Sequence, residues 1–144
     1  VRTGQTLVLE NTDATNHNVK GKLGSEAFNF MVPAKGKQSI TLREAQRLPR
    51  EVACSIHPFM RGWLLVRDDP YMAVSDAKGK FTIAKLPAGK HEFQFWHELP
   101  GYLKEVPVGA GELDRRGRIE ITVPAGGEVD LGTIEIDAQA FKGK

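Results

Sequence analysis

What most constrains this chain is its punctuation. Fifteen glycines and eight prolines in 144 residues cut it into apolar runs too short for helices. An amphipathic helix needs roughly ten or more residues patterned at 3.6, whereas a half-buried strand needs only about four to eight residues alternating at two. Gln5–Glu10 (QTLVLE) follows a Gly turn and is rich in β-branched and aliphatic residues. Phe28 and Phe30 flank Asn29; Gln38, Ile40 and Leu42 alternate with Ser39 and Thr41; Gly62–Val66 is a short apolar run. Breaks at Gly21, Gly24, Pro33, Gly36 and Pro49 separate these segments. Only Arg43–Leu48 (REAQRL) has helical character, enough for about one turn.

A composition shift at Arg67–Tyr71 (RDDPY) divides the chain. Beyond it the alternation resumes. Met72–Val74 leads into an Asp76-Ala77-Lys78-Gly79 turn, then Phe81 and Ile83 alternate, and Pro87-Ala88-Gly89 makes another turn. Glu92–His97 puts Phe93, Phe95 and His97 on one face, Gly111–Gly117 reads as a polar loop, and Arg118–Val123 and Glu128–Ile136 read as strands. Phe81, Phe93, Phe95 and Trp96 are expected in a core. The expected fold class is all-β: two β-sandwiches, at residues 1–68 and 69–138, and a frayed tail at 139–144.

Several functions are excluded early. A net charge of +2, with the basic residues scattered, gives no nucleic-acid stripe. No apolar run reaches the ~20 residues of a membrane helix. There is no Gly-rich phosphate loop, paired-carboxylate site or serine triad, so no enzyme is expected. The single cysteine, Cys54, rules out an intrachain disulfide, a C-x-x-C-H haem site and the common zinc frameworks. It leaves Cys54 as either a small buried hydrophobe or a chemical group.

The informative stretch is Cys54-Ser55-Ile56-His57-Pro58-Phe59-Met60: a thiolate, an imidazole and a thioether at spacings of three and three. A second imidazole, His17, lies in the loop 11–20 after the first strand. A Cys, two His and a Met are the donors of a trigonal His₂Cys copper site with a weak axial Met. Zinc can take the same nitrogen and sulfur atoms but gains little from a thioether. A thiol enzyme is the weaker alternative, because reactive thiolates sit at helix N-termini or in electropositive clefts, and this chain reads as β.

On these residues the chain resembles the cupredoxins. CSIHPFMRGWLLV is similar to the copper loop of the amicyanin type, H-P-F-M-R-G included, and GQTLVLENTDATNHNV is similar to the strand and loop that bring the first histidine. The resemblance covers residues 1 to about 66. It implies a Greek-key β-sandwich and one type 1 (blue) copper, with His17, Cys54 and His57 equatorial and Met60 axial. It also implies Asn18 as a residue supporting the ligands, and Pro58, Phe59 and Trp63 beside an exposed His57 as a docking face for a redox protein partner. It implies a periplasmic or extracellular place, with the signal peptide outside this sequence. The match begins late, so an N-terminal edge strand is expected to lie outside this sequence or to come from another chain. Residues 73–93 resemble the carboxypeptidase regulatory-like (transthyretin-like, prealbumin-like) β-sandwich module, and the pairing resembles bacterial plastocyanin-like proteins.

Three functions compete: an electron carrier, a structural subunit of a larger assembly on a cupredoxin-like scaffold, and a copper carrier, which would need a more open site. His97 is expected to be a half-buried strand-end histidine rather than a second metal position, and His91 a solvated one.

Overall fold

Residues 1–142 are described in the structure, a computed structural model. The chain forms two compact units, Val1–Met72 and Ala73–Lys144. Among the described residues every regular element is a strand, apart from one 3-10 turn at Ala138–Phe141. The expected all-β class is therefore observed. Residues 143 and 144, the end of the expected tail, lie outside the described residues.

The first unit contains β1 (Thr6–Glu10), β2 (His17–Leu23), β3 (Glu26–Val32), β4 (Lys37–Thr41), β5 (Arg50–Ala53) and β6 (Arg61–Leu64). β1 and β4 pair antiparallel, and β3-β2-β5-β6 form a four-stranded antiparallel sheet. Period-two alternation decides what each strand buries. In β2, Leu23 is fully buried and Val19 packs beside it, while Lys20 and Lys22 face solvent. Leu23, Phe28, Leu42 and Val66 form the core, joined by Leu7 and Ile40 from the two-stranded sheet and Val52 and Leu64 from the other. Full burial of each such aliphatic side chain contributes about 1.5–3 kcal/mol. Gly21 lies where the Phe28 ring crosses β2: a Cβ there would stand 2.8 Å from Phe28 Cζ and 3.0 Å from Val52 Cγ1.

Arg43–Leu48 forms no helical turn. Its amides find acceptors elsewhere: the N–H groups of Arg43 and Glu44 donate to the Glu26 carboxylate at 3.0 and 3.2 Å, and that of Gln46 donates to the Val66 carbonyl at 2.7 Å. These tertiary acceptors replace the i−4 carbonyls of a helix.

The second unit contains β7 (Gly89–Gln94), β8 (Trp96–His97), β9 (Gly101–Tyr102), β10 (Pro107–Val108), β11 (Gly111–Glu112) and β12 (Arg118–Val123). β7 pairs with β12, β8 with β9 and β10 with β11, all antiparallel. The expected strand at 118–123 is present. The Asp76 turn also forms, with the Asp76 carboxylate accepting from Lys78 and Lys80 N–H. Several expectations need correction. Met72–Val74 and Phe81–Ile83 join no ladder. Glu128–Ile136 joins none either, although Leu131, Ile134 and Ile136 pack on the core of Leu103, Val106, Val108 and Leu113. Leu113 itself, in the segment read as a polar loop, is 2% exposed. Of the expected core aromatics, Phe95 packs on this cluster, whereas Phe81 is exposed, its ring T-shaped to that of Phe95 at a centroid distance of 6.0 Å.

Candidate metal centre

Two segments of the first unit build the site. His17 opens β2, at the end of a loop clipped in place by Asn11. The buried Asn11 amide donates to the carbonyls of Thr15, Val32 and Pro33 at 2.8, 3.1 and 3.0 Å, and its Oδ1 accepts from Asp13 N–H at 3.0 Å. The Asp13 carbonyl takes the Lys35 N–H, and Asn16 Oδ1 takes that of Ala34. The loop carrying the first histidine is thus held to the β3–β4 connection before any metal arrives.

The second segment is the turn joining β5 to β6. Met60 N–H donates to the His57 carbonyl at 2.9 Å, and the Cys54 N–H donates to the Met60 carbonyl at 3.0 Å. These two bonds fold residues 54–60 back on themselves, so that thiol and imidazole converge. Asn18 ties the turn to β2: its Oδ1 accepts from Ser55 N–H at 2.7 Å, from Ile56 N–H at 3.3 Å and from Cys54 Sγ at 3.4 Å. Its Nδ2 donates to Asn29 Oδ1 at 2.7 Å.

His17, Cys54 and His57 come together as a group. The two Nδ1 atoms are 2.9 Å apart, and Cys54 Sγ lies 3.9 Å from that of His17 and 3.8 Å from that of His57. The point equidistant from all three atoms is about 2.1 Å from each, within the roughly 2.0–2.3 Å over which a first-row ion binds imidazole nitrogen and thiolate sulfur. The donor set therefore fits a metal ion, and two imidazoles with one thiolate fit copper. The remaining nitrogen of His17, Nε2, bonds to Asp13 Oδ2 at 2.8 Å.

Hydrogen bonding around the cluster favours the ligating form of the sulfur. Burial pushes the Cys54 thiol up. Hydrogen bonds from the Asn18 and His57 backbone, and from the His17 and His57 rings, outweigh it and leave the group at about 6, against an ordinary 9.0. His17 is raised, chiefly by its hydrogen bond to Cys54 and then by that to Asp13.

Met60 lines an open cleft of about 680 Å³ that also reaches His17, Asn18 and Cys54. Pro58 and Phe59 are exposed next to His57, Phe59 at 79%, with its ring centroid 5.8 Å from the imidazole's. Trp63 stands further along β6, opposite Glu51 of β5. Asp13 and Asn11 were not singled out by the sequence. A carboxylate four residues before a loop histidine is too common a pattern to mark itself. His97 stacks edge-on against Phe141 and accepts the Leu99 N–H, while His91 donates to the Pro87 carbonyl.

No family model and no curated protein matches the chain. Solved structures of amicyanin mutants, in oxidised, Cu(I) and reduced forms, are similar to part of it. Each is 31% identical with a TM-score of 0.40, over 46% of this chain and 65% of that chain.

Proposed function

We propose that the chain is a type 1 copper protein that passes single electrons between redox proteins. The observation that carries this is the convergence of His17 Nδ1, His57 Nδ1 and Cys54 Sγ on one point at bonding distance from all three. A copper ion bound there supplies a one-electron couple. Soft thiolate suits Cu(I) and imidazole suits Cu(II), so a mixed set serves both states. The protein's part is to keep that set fixed. Asn18 and the two backbone bonds of the 54–60 turn hold the sulfur and His57, while the Asn11-clipped loop holds His17. Met60, on the same cleft, is proposed as the weak axial donor.

His57 is the proposed exit for electrons, because exposed Pro58 and Phe59 flank it. A small apolar rim suits brief encounters with a redox partner, and Trp63 is proposed at its edge. No substrate chemistry is assigned, and the proposed place is periplasmic or extracellular. Among the described residues no helix is long and apolar enough to cross a membrane. For the second unit, the transthyretin-like reading rests on sequence pattern alone.

One observation favours a second reading, a structural subunit. Among the described residues β1 pairs only with β4, and Val8 and Leu9 of β1 line the open cleft. An unpaired strand edge above such a cleft is the usual template for adding a strand from another chain.

Titration of the metal-free protein with Cu(II), followed by visible absorption, tests the first reading. An intense thiolate-to-copper band at one equivalent, absent in Cys54→Ser, is the expected result. No band, with no shift in unfolding on adding copper, would defeat it and leave the structural subunit.

A further inference from the structure

The contact between Asp13 and His17 is made by the ring nitrogen that does not face the other two donor atoms. Asp13 Oδ2 lies 2.8 Å from His17 Nε2, four residues along the chain. A carboxylate only accepts, so Nε2 carries the proton and Nδ1 is left with its lone pair for a metal. Asp13 is itself fixed at both backbone groups: its N–H donates to Asn11 Oδ1 and its carbonyl accepts from Lys35 N–H at 3.1 Å. His17 is buried, whereas the Asp13 side chain is 58% exposed. The charge thus stays hydrated while one oxygen reaches in to the ring.

We propose that Asp13 is a positioning residue for the metal centre: it sets the tautomer and ring orientation of His17 and makes Nδ1 a stronger donor, favouring Cu(II) over Cu(I). Its effect on copper rests on the copper reading above, whereas its effect on the ring exists without metal. Turning the imidazole over about its bond to Cβ would exchange Nδ1 with a carbon and remove one donor. The hydrogen bond to Asp13 opposes that rotation. A carboxylate bonded to the far nitrogen also increases the basicity of the near one, and removing such a partner typically costs about 10–100-fold in metal affinity.

The test compares Asp13→Ala and Asp13→Asn with the parent protein. Asparagine keeps an acceptor for Nε2–H but no charge, and it protects the comparison if alanine unsettles the loop. In the metal-free protein at alkaline pH, long-range ¹⁵N–¹H spectra read the His17 tautomer directly. Nε2–H is expected in the parent and in Asp13→Asn, and a mixture in Asp13→Ala. With copper, Cu(II) affinity is expected to fall about 10–100-fold in Asp13→Ala and less in Asp13→Asn. If Cu(I) affinity is unchanged, each tenfold loss raises the one-electron potential by about 59 mV. An unchanged tautomer in Asp13→Ala, or equal affinity losses in the two variants, would overturn the assignment. A parent protein that shows the Nε2–H tautomer but binds no copper would defeat the copper reading and leave the positioning of His17 intact.

Discussion

Replacing Asn18 with alanine strips the 54–60 turn of its tie to β2 while leaving all the donor atoms present. The amide makes two bonds of 2.7 Å, to Ser55 N–H and to Asn29 Oδ1, and longer ones to Ile56 N–H, Cys54 Sγ and Ser55 Oγ. A hydrogen bond contributes about 0.5–1.5 kcal/mol net, and a buried group left unpaired costs about 1–3 kcal/mol. Ser55, Ile56 and Asn29 are exposed residues, so water reaches part of what alanine abandons, and the lower end of each range applies. Counting the two short bonds, Asn18→Ala is expected to destabilise the metal-free protein by about 1–2 kcal/mol in denaturant unfolding. The Asn18 backbone N–H to the sulfur survives the substitution, but the Oδ1 contact is lost and the turn loosens. The expected spectroscopic result is a weaker or shifted charge-transfer band together with faster loss of copper to a chelator. Asn18→Asp separates the effects, since it keeps the acceptor for Ser55 and adds a negative charge beside the thiolate. A stability loss below about 0.5 kcal/mol with an unchanged band and unchanged release would refute the role given to Asn18.

Three further outcomes follow from the packing and charge. Gly21→Ala places a Cβ against Phe28 and Val52, and overpacking of that kind costs about 1–3 kcal/mol, seen as a lower denaturation midpoint. Leu113→Ala, at a side chain only 2% exposed, is expected to cost about 2–5 kcal/mol, whereas a polar-loop residue would cost almost nothing. Asp114 is held at about 2, first by the Arg118 backbone N–H and then by its guanidinium. Its folded value lies below the ordinary 3.8, so its stabilisation is complete above that pH and is lost as pH falls through about 2. The stability difference between the parent and Asp114→Asn is expected to shrink across that window in acid unfolding, and a difference independent of pH would contradict the ion pair.

Much of the candidate site was legible in the sequence because its second half is local. Cys54, His57 and Met60 lie within one turn, so spacing alone restricts how far apart they can sit. The strands at 26–32, 37–41 and 118–123 were legible for a similar reason: alternation at two leaves one face apolar, and that face must be covered. Alternation does not supply a neighbour, however. Phe81–Ile83 and Glu128–Ile136 carry the pattern yet join no ladder, because a ladder needs a partner strand in register, and that is decided by how the chain packs. Arg43–Leu48 had the composition for a helical turn, but the Glu26 carboxylate and the Val66 carbonyl, both remote in sequence, captured its amides.

The sequence by itself determined the chemistry on offer: one thiol, the imidazoles, a thioether, and an all-β chain to carry them. Only the tertiary structure decided that His17 and His57, forty residues apart, would bring their Nδ1 atoms to 2.9 Å. It likewise decided that Asn18 would hold the sulfur-bearing turn and that Asp13 would sit behind His17. The physical reason is that each of these contacts joins segments brought together by the β2–β5 ladder or by the Asn11-clipped loop. The order of residues states which groups exist, while orientation over a few ångströms is fixed by long-range hydrogen bonds and packing.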